Sequence, residues 1–257
     1  MAAPVQAMAA LEPAAAVTSV FQPGKLPVEF HTSLISNSDA DDIDAAAKVT
    51  NWLPEGLPSV LPVGVDADLS RLALAGHSRG GHTAFSLALG RATTTTTTTL
   101  NFSALIGIDP VAGTGRSSQL PPAILTYEPS SFAFASPVMV VGTGLGGDRE
   151  NALFPPCAPP EVNHAEFYYE CKPPCYHIVV RDYGHLDMLD DDAPKLVTCL
   201  CKQGNSCKDV MRRTVAGIMV AFLRSALGEG GGEDLKAVLG DPGLAPTTLN
   251  PVEYRLE

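Results

Sequence analysis

Leu72-Ala-Leu-Ala-Gly-His-Ser-Arg-Gly-Gly-His-Thr-Ala-Phe-Ser-Leu-Ala-Leu-Gly90 is the stretch that decides the fold of this 257-residue chain. Leu72 to Ala75 is a short apolar run closed by Gly76, the pattern of a buried parallel strand. Thr83 to Leu89 reads as a helix, with Gly90 as its C-cap. Between them stands Gly76-His77-Ser78-Arg79-Gly80, a G-x-S-x-G. A serine hydroxyl is a poor nucleophile unless it is exposed beside a base and near oxyanion donors. A tight strand-to-helix elbow, with glycines relieving the turn, meets those needs, and the first N–H groups of the helix face the developing charge. The pattern alone arises by chance roughly one time in ten in a chain this long. The strand before it and the helix after it make it specific.

Outward from the elbow, the chain alternates strands and helices. Ala104 to Ile108, Pro137 to Val141 and His177 to Val180 are further buried strands, and Val28 to Ile35 reads as one more. Ser38 is a candidate N-cap with Asp39, Asp41 and Asp42 in the first turn, and Ile43, Ala46, Val49 and Leu53 recur at helical spacing. A helix is therefore expected over 39–53, ended by Pro54 and Pro58. A second, Lys208 to Leu227, has a broad apolar face and stops at Gly228. Thr93 to Thr99 is a low-complexity surface loop. This alternation predicts a mostly parallel sheet with helices on both faces. Residues 1–20 are expected to be a flexible N-terminal segment, 21–228 an α/β domain, and 229–257 a weakly patterned tail.

An activated serine needs a histidine base and an acid to orient it, in the chain order Ser, acid, His, each after a strand. Asp109 closes the strand Ala104 to Ile108, and His185 follows the last strand in a Tyr-Gly-His loop. Asp148 is the alternative acid, behind a long loop carrying Gly144, Gly146 and Gly147. His164 lies in a Pro-rich stretch, His177 opens a strand, and His77 and His82 flank the elbow; these four read as structural.

A net charge of −11 provides no basic stripe for nucleic acid and disfavours an anionic membrane surface. No apolar run approaches the ~18 residues that span a bilayer. Met1 to Ala16 lacks the positive region of a secretory signal and the arginines of a transit peptide. Cys157, Cys171, Cys175, Cys199, Cys201 and Cys207 are spaced C-x3-C and C-x-C, which is not a zinc ribbon, so ordinary thiols or a disulfide are expected and no metal.

The run Leu72 to Gly90, with its G-H-S-R-G-G core, resembles the lipase motif of the chlorophyllases, an α/β-hydrolase family of plants. Gly107-Ile-Asp-Pro-Val111 resembles the family segment bearing the triad aspartate, and Tyr183-Gly-His-Leu-Asp-Met-Leu-Asp190 the one bearing the histidine. Val20 to Val28, Val49 to Leu53 and Leu57 to Pro62 are similar to the parts before the elbow. The resemblance implies hydrolysis of the phytyl ester of chlorophyll, with Ser78 attacking, His185 moving the proton, Asp109 fixing the imidazole and the Arg79 N–H serving the oxyanion hole. It implies no cofactor, a lipid-like substrate with peripheral membrane contact, and residence in the chloroplast. Another carboxylesterase or lipase, or an inert truncated isoform, is the alternative. The family carries a His-Gly loop ahead of the helix at 39–53, and no His-Gly dipeptide precedes Ser78 here. An internal loss of several dozen residues is therefore inferred, with an open edge beside Leu72 to Ala75 and weak or absent activity as its expected consequences.

Overall fold

The computed structural model describes residues 21, 39–92, 98–228 and 232–257. The flexible segment expected over 1–20, the strand expected at Val28 to Ile35 and most of the threonine tract lie outside these residues. In chain order the elements are α1 (Asp39–Val60), β1 (Ala73–His77), α2 (Arg79–Ala88), β2 (Ala104–Ile108), β3 (Val138–Thr143), α3 (His164–Glu170), β4 (Cys175–Val180), α4 (Lys195–Thr198), α5 (Lys208–Ala226), α6 (Glu233–Gly240) and β5 (Leu249–Arg255).

The five strands form one sheet in sequence order, β1 to β4 parallel and β5 antiparallel to β4. Right-handed crossovers taken always in the same direction put α2 and α3 on a single face, and α5 with α6 covers the other. Alternate strand residues serve the two faces. Ile106, Met139, Val141 and Ile178 pack with Met211, Val215, Ile218 and Phe222 of α5 and with Leu235 and Val238 of α6. Leu105, Val138 and Val140 pack with Phe85 of α2 and Phe167 of α3. In α1, Ile43 and Ala47 are buried and pack with Leu87 of α2 and Leu74 of β1. Among the described residues β1 pairs only with β2, so it lies at the edge of the sheet, with Ala75 exposed.

Two boundaries differ from the sequence reading. Helix α1 does not end at Pro54 but continues through it and Pro58 to Val60. Both prolines are exposed and four residues apart, so they share one outer face of the helix. The segment from Glu233 is no loose tail. It provides α6, whose Leu235 and Val238 are buried, and the edge strand β5. Asn250, Pro251 and Glu253 make β5 unlike a strand in sequence, and a proline is tolerated there because only an edge can spare the N–H. The cysteines divide as well: Cys157 and Cys201 are disulfide-bonded, while Cys171, Cys175 and Cys207 are free thiols.

Phe85 is fully buried among Phe132, Phe134 and Phe167, with ring centroids 4.8–5.8 Å away. Phe85→Ala is expected to cost about 3–5 kcal/mol of stability, read from the midpoint of urea unfolding.

Candidate active site

The parallel ladder carries the chain ends to one rim. The register pairs His77 with Ile108. Beyond it the Ser78 N–H donates to the Ile108 carbonyl at 3.0 Å and the Asp109 N–H to the Val141 carbonyl at 2.6 Å. Serine and aspartate thus leave adjacent strands at the same level. Both residues turn sharply there: Ser78 has φ 56° and Asp109 φ 41°, left-handed values that a non-glycine residue adopts only under constraint.

Close approach explains the glycines around Ser78. A Cβ on Gly76 would sit 2.0 Å from the Gly80 carbonyl oxygen, and one on Gly81 2.6 Å from Pro110 Cβ. Gly80, the last residue of the five-residue motif, has open space around it. The strict requirement at that end of the elbow falls on Gly81, where helix α2 crosses the loop after β2.

Three side chains meet at this rim. The Ser78 hydroxyl donates to His185 Nε2 at 2.7 Å, and His185 Nδ1–H donates to Asp109 Oδ2 at 2.7 Å. His185 and Asp109 are buried, and Ser78 is half-buried. Arg79 opens helix α2, and its guanidinium reaches Asp42 of α1 at 3.4 Å. Asp148, the alternative acid, is exposed in the turn after β3, with its N–H on the Leu145 carbonyl; the carboxylate on His185 is that of Asp109.

Each member has its own support. Thr143 donates to Asp109 twice, from its N–H to Oδ1 at 3.1 Å and from Oγ1 to Oδ2 at 2.6 Å. Burial works against the Asp109 charge. The hydrogen bond and charge of His185, aided by His164 and Thr143, outweigh it and hold the carboxyl below its ordinary value of 3.8. The His185 loop is clamped by the buried Asp187, whose Oδ2 accepts from the Gly184 and Gly204 N–H groups at 2.7 Å, with Lys208 Nζ 3.5 Å from Oδ1. His77 Nε2–H donates to the His185 carbonyl at 3.0 Å, and His82 Nε2–H to the Pro122 carbonyl at 3.0 Å. The two histidines flanking the serine thus hold backbone. Burial, then the neighbouring His185, pushes His77 down to about 4.

Thr143, Asp187 and His77 were not singled out from the sequence as site residues. Asp187 had a signal, a carboxylate two residues after His185. Thr143 had none, because its role depends on β3 lying beside β2. Among the described residues no group of three or more His, Cys, Asp or Glu is placed to hold a metal ion. A hollow of about 430 Å³ lined by Leu87, Phe102, Leu105 and Phe134 lies where β2 begins. That is the opposite end of the sheet from Ser78, away from the carboxyl ends where ligands of such sheets bind.

A mostly parallel five-stranded sheet with helices on both faces, carrying a serine at a strand-to-helix turn on its carboxyl rim, is the α/β-hydrolase architecture. The chain belongs to the chlorophyllase family, whose model matches residues 27–256. It is 49% identical over 214 residues to Chlorophyllase-1 of Arabidopsis thaliana, covering 82% of this chain and 65% of that protein. It is 48% identical over 200 residues to Chlorophyllase-2 of the same plant, covering 76% and 62%. Against a protein of Citrus unshiu named Chlorophyllase-1, chloroplastic, it is 43% identical over 232 residues, covering 88% and 66%. The chain therefore spans just under two thirds of the length of the curated relatives it matches.

The buried histidines make stability depend on pH. His77 and His177 are both lowered from 6.5 to about 4, mainly by burial, so the unfolded chain takes up protons first as pH falls. Their contribution is complete above about 6.5 and is lost as pH falls towards about 4. The Asp109 contribution persists further, above 3.8, and disappears as pH drops through its lowered folded value. Thermal unfolding is expected at a lower temperature at pH 5 than at pH 7; an unchanged Tm would contradict this.

Proposed function

We propose that this chain is a carboxylic-ester hydrolase that cleaves the phytyl ester of chlorophyll to a chlorophyllide and phytol, using Ser78, His185 and Asp109 as its triad. The single observation carrying the reading is the continuous Ser78–His185–Asp109 chain of two 2.7 Å hydrogen bonds. His185 Nε2 takes the hydroxyl proton as Ser78 Oγ attacks the ester carbonyl, and then returns it to the departing phytol oxygen. Asp109 keeps the Nδ1 proton in place and balances the imidazolium. The Arg79 N–H, first in helix α2, faces the oxyanion. Water then repeats the sequence on the acyl-enzyme to release the chlorophyllide. Acyl transfer of this kind needs no cofactor, since the proton and the acyl group move between the serine, the imidazole and the substrate.

The names of the relatives support the choice of substrate, and the word chloroplastic in two citrus names supports a chloroplast location. No described helix is long and apolar enough to cross a membrane. Two features argue for slow turnover. No His-Gly dipeptide precedes Ser78 to provide a second oxyanion donor, and loss of one such donor costs about 2.7–4 kcal/mol, 100-fold or more in rate. Among the described residues β1 is an edge strand, which adds the risk of pairing with another chain.

Incubation with chlorophyll a, followed by partition between hexane and aqueous acetone, is expected to bring green pigment into the polar phase. Ser78→Ala is expected to abolish this, and Asp109→Asn to lower turnover on the order of 10⁴-fold. Release of p-nitrophenol from short esters without phytyl-ester cleavage would instead point to another carboxylesterase. Failure on both esters in folded protein would mark an inert isoform.

A further inference from the structure

Behind the triad a second line of imidazoles runs from Asp109 to the outer edge of the sheet. His164, the first residue of α3, places Nε2 3.9 Å from Asp109 Oδ1, the carboxylate oxygen that His185 does not bond. Its Nδ1 lies 2.8 Å from His177 Nε2 on β4. His177 Nδ1 in turn lies 2.8 Å from Glu253 Oε2 on β5. Packing fixes the line. The His164 ring presses on Gly142, where a Cβ would come within 2.5 Å of it, and His177 stacks on Tyr168 at 4.9 Å and 20°. Both histidines are buried, while the Glu253 side chain is 51% exposed. Two buried imidazoles in series are costly to desolvate, and core packing alone does not call for them.

Counting protons shows what the line can do. The charged and titratable groups facing the two rings are Asp109 and His185, Glu253 of β5 and Tyr168 of α3, and the Thr143 carbonyl also faces His164. Two neutral imidazoles hold two N–H groups, and the ring-to-ring bond uses one. One N–H is left for the acceptors beyond the pair, Glu253 at one end and Asp109 with the Thr143 carbonyl at the other. The short 2.8 Å contact to Glu253, against 3.9 Å at Asp109, puts that N–H on His177 Nδ1. His164 Nδ1–H then donates to His177 Nε2, and Asp109 receives no proton from this side. Burial, with the adjoining His164, pushes His177 down to about 4, so a third proton is excluded at neutral pH.

We propose that His164, His177 and Glu253 are positioning residues that set the basicity of His185 through Asp109, by holding the N–H of the imidazole pair at the Glu253 end. The proposal rests on the hydrolase reading above. Removing the Glu253 carboxylate reverses both tautomers: His177 Nε2–H donates to His164 Nδ1, and His164 Nε2–H turns to Asp109 Oδ1. A carboxylate faced at 3.9 Å by this N–H dipole stabilises the His185 imidazolium less. His185 then takes up its second proton at lower pH. The three residues hydrogen-bond to neither Ser78 nor His185, and their line meets the triad at Asp109.

The test follows the His185 ring by ¹⁵N NMR as pH is varied, in a Ser78→Ala background that needs no substrate. Glu253→Ala, at a half-exposed edge position, is expected to lower the midpoint by about half a pH unit or more. Adding His164→Phe, or His164→Leu if the larger ring does not pack, is expected to abolish that shift. With Ser78 restored, the acid limb of kcat/KM for p-nitrophenyl ester hydrolysis is expected to move with the NMR midpoint. A midpoint that stays put, rises, or still shifts without His164 overturns the relay. A downward NMR shift in a chain whose wild type hydrolyses no ester supports the relay and overturns the hydrolase reading alone.

Discussion

The register of β1 against β2 is the constraint from which the rest of the site follows. Because His77 sits opposite Ile108, the next residue on each strand emerges at the same rim, and these residues are Ser78 and Asp109. Both then adopt left-handed backbone that the sheet and helix α2 enforce. A slip of one position would move every alternating core residue to the wrong face and separate the two side chains. Strand packing and site geometry are therefore one requirement, with Gly76 and Gly81 permitting the helix to approach closely enough to satisfy it.

Much of this was legible in the sequence because the informative residues lie next to local signals. The elbow is a turn between a short apolar run and a helix, so Ser78 could be read from a dozen neighbours. Asp109 and His185 could be read because each follows an apolar strand. Ala104 to Ile108 coincides with β2, and Lys208 to Leu227 is within one residue of α5. What escaped depends on contacts distant in the chain. Strand β5 is polar, contains a proline, and is a strand only because β4 offers it a free edge. Helix α1 passes two prolines because both face water, where the sequence reading had placed its end.

The same distinction separates the candidate site residues read from the sequence from those it did not single out. Thr143 supports Asp109 across β2 and β3, and Asp187 closes a loop by bonding Gly184 and Gly204. His164 and His177 read as structural histidines, which is right for their burial, but sequence could not show that they face each other. Tertiary pairing made the chain from Asp109 to Glu253, and none of its spacings, from 109 to 164, 177 and 253, is a motif.

The proposed chemistry requires His185 to activate Ser78. The most direct measurement is covalent labelling by a fluorophosphonate, with the modified residue located by mass spectrometry and the rate compared in His185→Ala. One adduct is expected, on Ser78, and its rate of formation is expected to collapse without the imidazole. Labelling of a different serine, or of Ser78 at an undiminished rate in the His185→Ala protein, would contradict it.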